Sequence, residues 1–311
     1  MPTRAEWDAR FSAWSQPPGQ TERDKCDNAV RAIRKAINAS AALAGRMVRV
    51  FPQGSYNNRT NVRAESDVDV CVCSSYTIYY APEMPPPQVG LVPATYMFDD
   101  FREDVRAALV AHFGAAGVSS GSKAFDVHEN TNRIAADVVP TFEFRSYVYG
   151  APLHVGTAFM ANRRRIVNFP QQHYDNGVAK NTATGRRFKA ITRILKRLRY
   201  EMLNDYAYAA AAVGVQSFEI ESMVWNVPDP LLLGGAASPM LVSLIPDAGI
   251  REPLTQVLCH LYAGTATDQA CASWKEVNGI KALFSAGQPW SCEAARTFIA
   301  AAWAYAELNK Q

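Results

Sequence analysis

The seven residues Asp67-Val68-Asp69-Val70-Cys71-Val72-Cys73 constrain this chain more than any other stretch. Apolar residues alternate with the two acids, so strand geometry puts Asp67 and Asp69 on one face and Val68, Val70 and Val72 on the other. Two carboxylates then point the same way. Like charges that close are costly unless cations neutralise them, and hard oxygen ligands suit Mg²⁺, which takes one or two carboxylates and completes its shell with phosphates. Upstream, Arg49-Val50-Phe51-Pro52-Gln53 reads as a short extended segment running into Gly54-Ser55, a sharp turn where backbone N–H groups can face an anion. A third acid, Asp137, sits in Arg133–Phe142, which reads as a buried strand. A carboxylate there is expensive without a cation, which makes Asp137 the expected third metal ligand. Asp126 and Glu129 compete for that role, but beside Asn130-Thr131-Asn132 they read as a hairpin tip.

At 311 residues and 48% hydrophobic content the chain can bury a large core, as one domain or two lobes. No run of about 18 apolar residues marks a membrane span, and Met1-Pro2-Thr3-Arg4-Ala5-Glu6 lacks the apolar core of a signal peptide, so a cytoplasmic protein is expected. The six cysteines lack metal-ligand spacing and are expected as reduced thiols; Cys71-x-Cys73 reads as packing. A net charge of +3 makes no case for nucleic acid as an obligatory partner.

Thr21–Met47 has helical apolar spacing and predicts one long helix. Tyr76–Pro93, rich in Tyr and Pro, predicts a loop insertion, and Phe98–Phe113 an amphipathic helix stopped by Gly114 and Gly117. His173–Asn181 reads as polar and turn-like. The basic stretch Asn162–Arg199 reads, through Phe188, Ile191, Ile194, Leu195 and Leu198, as one defined helix with its cations on the opposite face. Further helices are expected in part of Leu231–Leu244, over Pro253–Ala263 and over Cys292–Leu308, with Trp290 and Trp303 as structural packing. Asn168, Asn176 and Asn181 each have the paired donor and acceptor that could read a base edge, or cap a turn.

The combination Phe51-Pro52-Gln53-Gly54-Ser55-Tyr56-Asn57-Asn58-Arg59-Thr60-Asn61-Val62 with Glu65-Ser66-Asp67-Val68-Asp69-Val70 resembles the Gly-Ser…Asp-x-Asp signature of polymerase-β-like nucleotidyltransferases, most closely the bacterial cGAS/DncV-like branch that includes the CdnE-like enzymes. Arg59 stands where many members have Gly. The resemblance covers nearly the whole chain from Thr21 onward. It implies an α+β fold in which a nucleotidyltransferase sheet lobe (1–160) and a mainly helical C-terminal lobe (161–311) are joined by a long N-terminal helix.

That resemblance also implies a reaction: nucleoside triphosphates (ATP, UTP or others) joined into a cyclic oligonucleotide messenger, with cyclic UMP-AMP as one such product, in bacterial antiphage signalling. It implies two Mg²⁺ ions, replaceable by Mn²⁺, on Asp67, Asp69 and Asp137. Gln53, Gly54, Ser55, Lys196, Ser217, Phe218 and Asn176 are the implied nucleotide contacts, Lys196 and Ser217 on the triphosphate and Phe218 on a base. No membrane partner is expected; a regulatory protein and a separate effector that binds the product are. A linear transferase acting on an RNA end or a protein hydroxyl would use the same three acids, and a nucleotide-binding regulatory module is the non-enzyme alternative.

Overall fold

The structure, a computed structural model, describes residues 2–62, 67–81, 91–148, 151–234 and 249–308. In chain order the elements are α1 (Arg4–Ser15), α2 (Gln20–Asn38), β1 (Val48–Gln53), the one-turn α3 (Gly54–Asn57), β2 (Val68–Tyr80), α4 (Phe98–Phe113), β3 (Val118–Ser120), β4 (Phe125–Val127), β5 (Ala136–Val148), β6 (Ala151–Ala161) and β7 (Arg164–Asn168). Helices follow: α5 (Pro170–Ala183), α6 (Arg187–Leu203), α7 (Ala209–Val213), α8 (Ser217–Trp225), α9 (Asp229–Leu233), α10 (Arg251–Gly264), α11 (Asp268–Cys271) and α12 (Cys292–Tyr305). The chain divides into a sheet unit, Gly19–Asn57 with Glu65–Gln171, and a helical unit, Met1–Pro18, Asn58–Ala64 and Gln172–Gln311.

In the sheet unit the strands run β1-β2-β5-β4-β3, with β6 paired to β5 and β7 to β6. β2 and β5 are parallel neighbours and every other pair is antiparallel. Long β5 serves three partners: β2 in parallel, β4 along its first residues and β6 along its last. The alternation in β2 resolves as expected: Val68, Val70 and Val72 are fully buried in one core with Ile33 and Ile37 of α2 and Phe101, Val105 and Leu109 of α4. Each such side chain contributes about 1.5–3 kcal/mol through burial. That apolar face fixes the strand's orientation, and so fixes where its acids point.

A second core fills the helical unit. Trp7 and Phe11 of α1, Ile191, Ile194, Leu195 and Leu198 of α6, Met223 and Val224 of α8, Leu254, Val257, Leu258 and Leu261 of α10 and Phe298 of α12 are all at most 2% exposed. No helix among the described residues is long and apolar enough to cross a membrane.

Several sequence expectations change. A helix not expected from the sequence precedes the expected one: α1 belongs to the helical unit and α2 to the sheet unit, with Pro17-Pro18-Gly19 between them. α2 stops at Asn38 rather than Met47, because the next residues turn through i→i+3 bonds and the positive φ of Gly45 and Met47 to enter β1. The expected loop from Tyr76 begins later, since β2 continues to Tyr80; residues 82–90 lie outside those described. The sheet unit runs on to Gln171 rather than 160 because β6 and β7 hydrogen-bond into the sheet. The polar stretch His173–Asn181 lies within α5, started by Pro170 and buried through His173 and Gly177. Arg163, Arg164 and Arg165 are not on a helix: Asn162 and Arg163, both at positive φ, form the β6–β7 turn, and the other two lie on β7. The helices expected over Phe98–Phe113, Pro253–Ala263 and Cys292–Leu308 form, the last ending at Tyr305, whereas the Leu231–Leu244 expectation falls largely outside the described residues.

The thiols are not all reduced. Cys271 and Cys292 form a disulfide, because α11 and the first residue of α12 meet in the helical core, while Cys26, Cys71, Cys73 and Cys259 are free.

Candidate active site

Strand register assembles the acids. Asp69 is the direct partner of Asp137 on β5, Gln53 is the partner of Asp69 on β1, and Asp126 on β4 is the partner of Asp137. Gln53, Asp69, Asp137 and Asp126 thus form one row across four strands, each step about 4.8 Å. Asp67 stands two residues before Asp69, exposed at the mouth of β2, whereas Asp69 and Asp137 are half-buried. Burial, then the charges of Asp126 and Glu129, push the Asp67 carboxyl above the usual range. Burial followed by the charges of Asp67 and Asp126 does the same to Asp137. Crowding that opposes ionisation of several acids is what a hard cation relieves.

Asp126 was read from the sequence as a hairpin-tip residue and is instead a member of the row. The tight turn forms at Asn130–Arg133, where the Asn130 side chain accepts the backbone N–H of Asn132 and Arg133. Only the β4–β5 register brings Asp126 beside Asp137. Its carboxylate also takes the Ser119 hydroxyl at 3.4 Å and lies 3.8 Å from His128 Nε2.

The Gly-Ser turn is built against this row. Gly54 has φ +67°, and a Cβ there would lie 2.0 Å from Asp69 Oδ2, so any other residue is strained at this position and displaces the Asp69 carboxylate. Ser55 follows in α3, half-buried, and the Tyr56 hydroxyl donates to Asp27 Oδ1 of α2 at 2.9 Å, anchoring the turn.

The helical unit holds the other expected contacts. Lys196 is 2% exposed, and its ammonium donates to Glu221 Oε2 at 2.8 Å and Thr60 Oγ1 at 3.0 Å. The Thr60 hydroxyl donates to the same Oε2 at 2.5 Å, and His173 Nε2 lies 3.0 Å from Oε1. Burial raises the Glu221 carboxyl, but Lys196 and His173 outweigh it and hold the group well below the usual range. Lys196, expected on a triphosphate, therefore has two partners within the fold. Arg59, at the position where many family members have Gly, has φ +54°, the left-handed conformation that a glycine adopts without cost.

Ser217 is the first residue of α8. The cap is Gln216, whose N–H donates to Glu219 Oε2 at 3.3 Å. Phe218 is 36% exposed; its ring stacks on Trp290 at 5.6 Å and meets His173, tilted, at 5.5 Å. Trp290, read as packing alone, backs the one aromatic face expected to meet a base, and its indole N–H donates to Leu283 O. Asn176 donates its amide to Val277 O at 2.8 Å, and Asn181 accepts the Lys189 N–H, so both are engaged in positioning the helical unit. Asn168 ends β7 opposite Thr157.

Residues 175–307 match the family model of the cGAS/DncV-like nucleotidyltransferase C-terminal helical domain. The whole chain is 38% identical to a cyclic dipyrimidine nucleotide synthase CdnE of Legionella pneumophila, covering 98% of this chain and 99% of that one. Among solved structures, Rhodothermus marinus CdnE, a c-UMP-AMP synthase with Apcpp and Upnpp, superposes with a TM-score of 0.79 at 28% identity over 95% of this chain and 94% of its own. Elizabethkingia meningoseptica CdnE, a cyclic dinucleotide synthase with GTP and Apcpp, gives 0.76 at 31% identity over 96% and 98%. This chain belongs to the cGAS/DncV-like nucleotidyltransferases and, within them, to the CdnE-like cyclic oligonucleotide synthases.

Proposed function

We propose that the chain joins two ribonucleoside triphosphates, at least one of them a pyrimidine nucleotide such as UTP, into a cyclic dinucleotide and releases pyrophosphate. The observation that carries this reading is the strand register that sets Asp69 beside Asp137 with Gly54 against the Asp69 carboxylate. The pyrimidine preference draws on relatives named for dipyrimidine and UMP-AMP products.

The donor chemistry fits a divalent cation: hard carboxylates whose ionisation is opposed by burial and by one another. The family uses divalent metal ions. Asp67, Asp69 and Asp137 would hold two Mg²⁺, with Mn²⁺ as a substitute, and the ions would supply activation of the attacking hydroxyl and neutralisation of triphosphate charge. The protein's own contribution is positional, since phosphoryl transfer asks for alignment and charge rather than a covalent side chain. Gln53, Gly54 and Ser55 offer amide, backbone N–H and hydroxyl donors beside Asp69, and Asp137 is suited to take the proton of a ribose hydroxyl. In the helical unit Ser217 offers a hydroxyl and a free N–H at the start of α8, and the backed ring of Phe218 offers a stacking face. We place the reaction in the bacterial cytoplasm as antiphage signalling, with a regulatory protein upstream and a separate effector reading the product.

Incubation of the purified protein with four ribonucleoside triphosphates and Mg²⁺ or Mn²⁺, one nucleotide left out at a time, tests this. The expected result is a phosphatase-resistant cyclic product, identified by mass spectrometry, that requires UTP or CTP and vanishes in Asp67→Ala/Asp69→Ala. Product appearing only with an added RNA or protein acceptor would replace the reading with a linear transferase.

A further inference from the structure

Cys271 and Cys292 stand 21 residues apart, a separation that announces no metal site in the sequence, yet the fold brings a third ligand type to them. Asp268 is the first residue of α11 and Cys271 the last, so at i and i+3 they share one helix face, and Cys292 is the first residue of α12. The two sulfurs and a carboxylate oxygen of Asp268 all lie within 4.8 Å of one another, the only such group of His, Cys, Asp and Glu side chains among the described residues. Both cysteines are buried and Asp268 is exposed, so the helical core closes one flank of the group and water meets the other.

The chemistry of the three groups goes beyond what a disulfide uses. A disulfide makes no use of a carboxylate, and the two Cα atoms are 6.9 Å apart, at the wide edge of the span that a disulfide bridges. Two thiolates on one tetrahedral Zn²⁺, each at about 2.3 Å from the ion, are about 3.8 Å from each other. Parting the sulfurs that far asks for rotation of two side chains and little movement of the backbone. The Ser291 hydroxyl caps α12 by accepting the Ala294 N–H, and a helix N-terminus favours the thiolate of Cys292 over its thiol. Two thiolates select a soft or borderline cation over Mg²⁺ or Ca²⁺, which take oxygen ligands.

We propose that Asp268, Cys271 and Cys292, once the disulfide is reduced, bind a thiophilic divalent cation such as Zn²⁺, with water in the fourth position. The exchange balances. A dithiol reductant gives two electrons and two protons to the S–S bond and is itself oxidised to a disulfide; the cation then displaces the two thiol protons to solvent. A metal thereby clasps α11 to α12 in place of the covalent bond. What the clasp holds is the segment 272–291, whose Val277 carbonyl accepts the Asn176 amide at 2.8 Å and whose Trp290 stacks on Phe218. The site is independent of the synthase reading.

The test uses the full chain as wild type, Asp268→Asn and Cys292→Ser, either oxidised or reduced with a phosphine that is then removed, and titrates each with Co²⁺ and with Zn²⁺ in competition. Reduced wild type is expected to take up one Co²⁺ per chain with the charge-transfer absorption of a thiolate-bound ion, and excess Mg²⁺ should not displace it. Oxidised wild type and reduced Cys292→Ser should lack that band. This separates the site from the catalytic carboxylates, which supply no sulfur, and from Cys26, Cys71, Cys73 and Cys259, which Cys292→Ser retains. Asp268→Asn should keep the band and bind Zn²⁺ about tenfold more weakly or worse. In thermal melts the reduced wild type should be stabilised by Zn²⁺ relative to chelator-treated protein, with about ten times more ion needed for the same gain in Asp268→Asn. A reduced wild type without the band, a band equally strong in Cys292→Ser, or equal Zn²⁺ affinity in wild type and Asp268→Asn overturns the proposal. The last comparison rests on an exposed side chain, so it holds whether or not Cys292→Ser folds.

Discussion

Gly54 and Asp69 are the pair on which local geometry bears hardest. A methyl group at residue 54 meets both a left-handed backbone and the Asp69 carboxylate. Gly54→Ala is expected to cost about 1 kcal/mol of stability and, by displacing Asp69 by up to an ångström, about a hundredfold in product formation. Chemical denaturation and the nucleotide assay read the two effects separately, and an active, fully stable variant would refute the assignment. Lys196 predicts the opposite balance. Removing it leaves Glu221 buried with His173 and Thr60 beside it, so Lys196→Ala should lose about 3–5 kcal/mol in chemical denaturation. A variant as stable as wild type would mean that the ion pair contributes nothing to the helical unit. In the sequence Lys196 is one cation among several on an amphipathic helix. What sets it apart is a glutamate 25 residues downstream and a threonine 136 residues upstream, which no local pattern reveals.

Helix α8 carries a titratable strain of its own. Glu219 is fully buried at its start, and burial, partly countered by the Gln216 N–H, pushes the carboxyl up to about 8. In the unfolded chain it ionises near 4.3. Between those values the unfolded state gives up its proton first, so this group's contribution to stability is fully present below about 4.3 and declines as pH rises towards 8. Glu219→Gln keeps an acceptor for the Gln216 N–H and removes the titration. Its melting temperature relative to wild type should therefore rise between pH 5 and pH 8, and a pH-independent difference would show that Glu219 is not the source. At this scale much was readable in advance. The period of two in β2 and the run of apolar residues around Asp137 located the strands that carry the acids and the side-by-side register of Asp69 and Asp137, although the oxygens of Asp67, Asp69 and Asp137 do not all lie within 4.8 Å of one another. Asp126 was not readable, because its place depends on which residue of β5 it pairs with. Helix α1 was overlooked although Thr3 and Glu6 form a capping box ahead of Trp7, Phe11 and Trp14.

Across the whole molecule, two cores of separate composition stabilise two units, and the single disulfide lies in one of them. Cys271 and Cys292 are 21 residues apart and enclose Val277 and Trp290, which meet Asn176 and Phe218. Reduction, or Cys292→Ser, should lower the denaturant midpoint of the helical core by the equivalent of about 3 kcal/mol. It should also weaken base stacking on Phe218, read as a higher KM for nucleotide. An unchanged midpoint with and without reductant would show that the bond contributes nothing to that core. The two lobes were an implication of the family resemblance rather than of any local pattern; their seams were not legible, since the short segment before β2 counts with the helical unit while its flanks count with the sheet.

That interleaving has a genealogical consequence. Thr60 is encoded between the two halves of the sheet unit yet joins Lys196 and Glu221. A single crossover between two diverged genes, falling anywhere from codon 65 to codon 171, would give the offspring Thr60 from one parent and its two partners from the other. Hybrids should survive only where both parents carry compatible versions of that trio. Lineages of such proteins would then be expected to inherit the two units together, and to diversify by substitution rather than by exchanging halves.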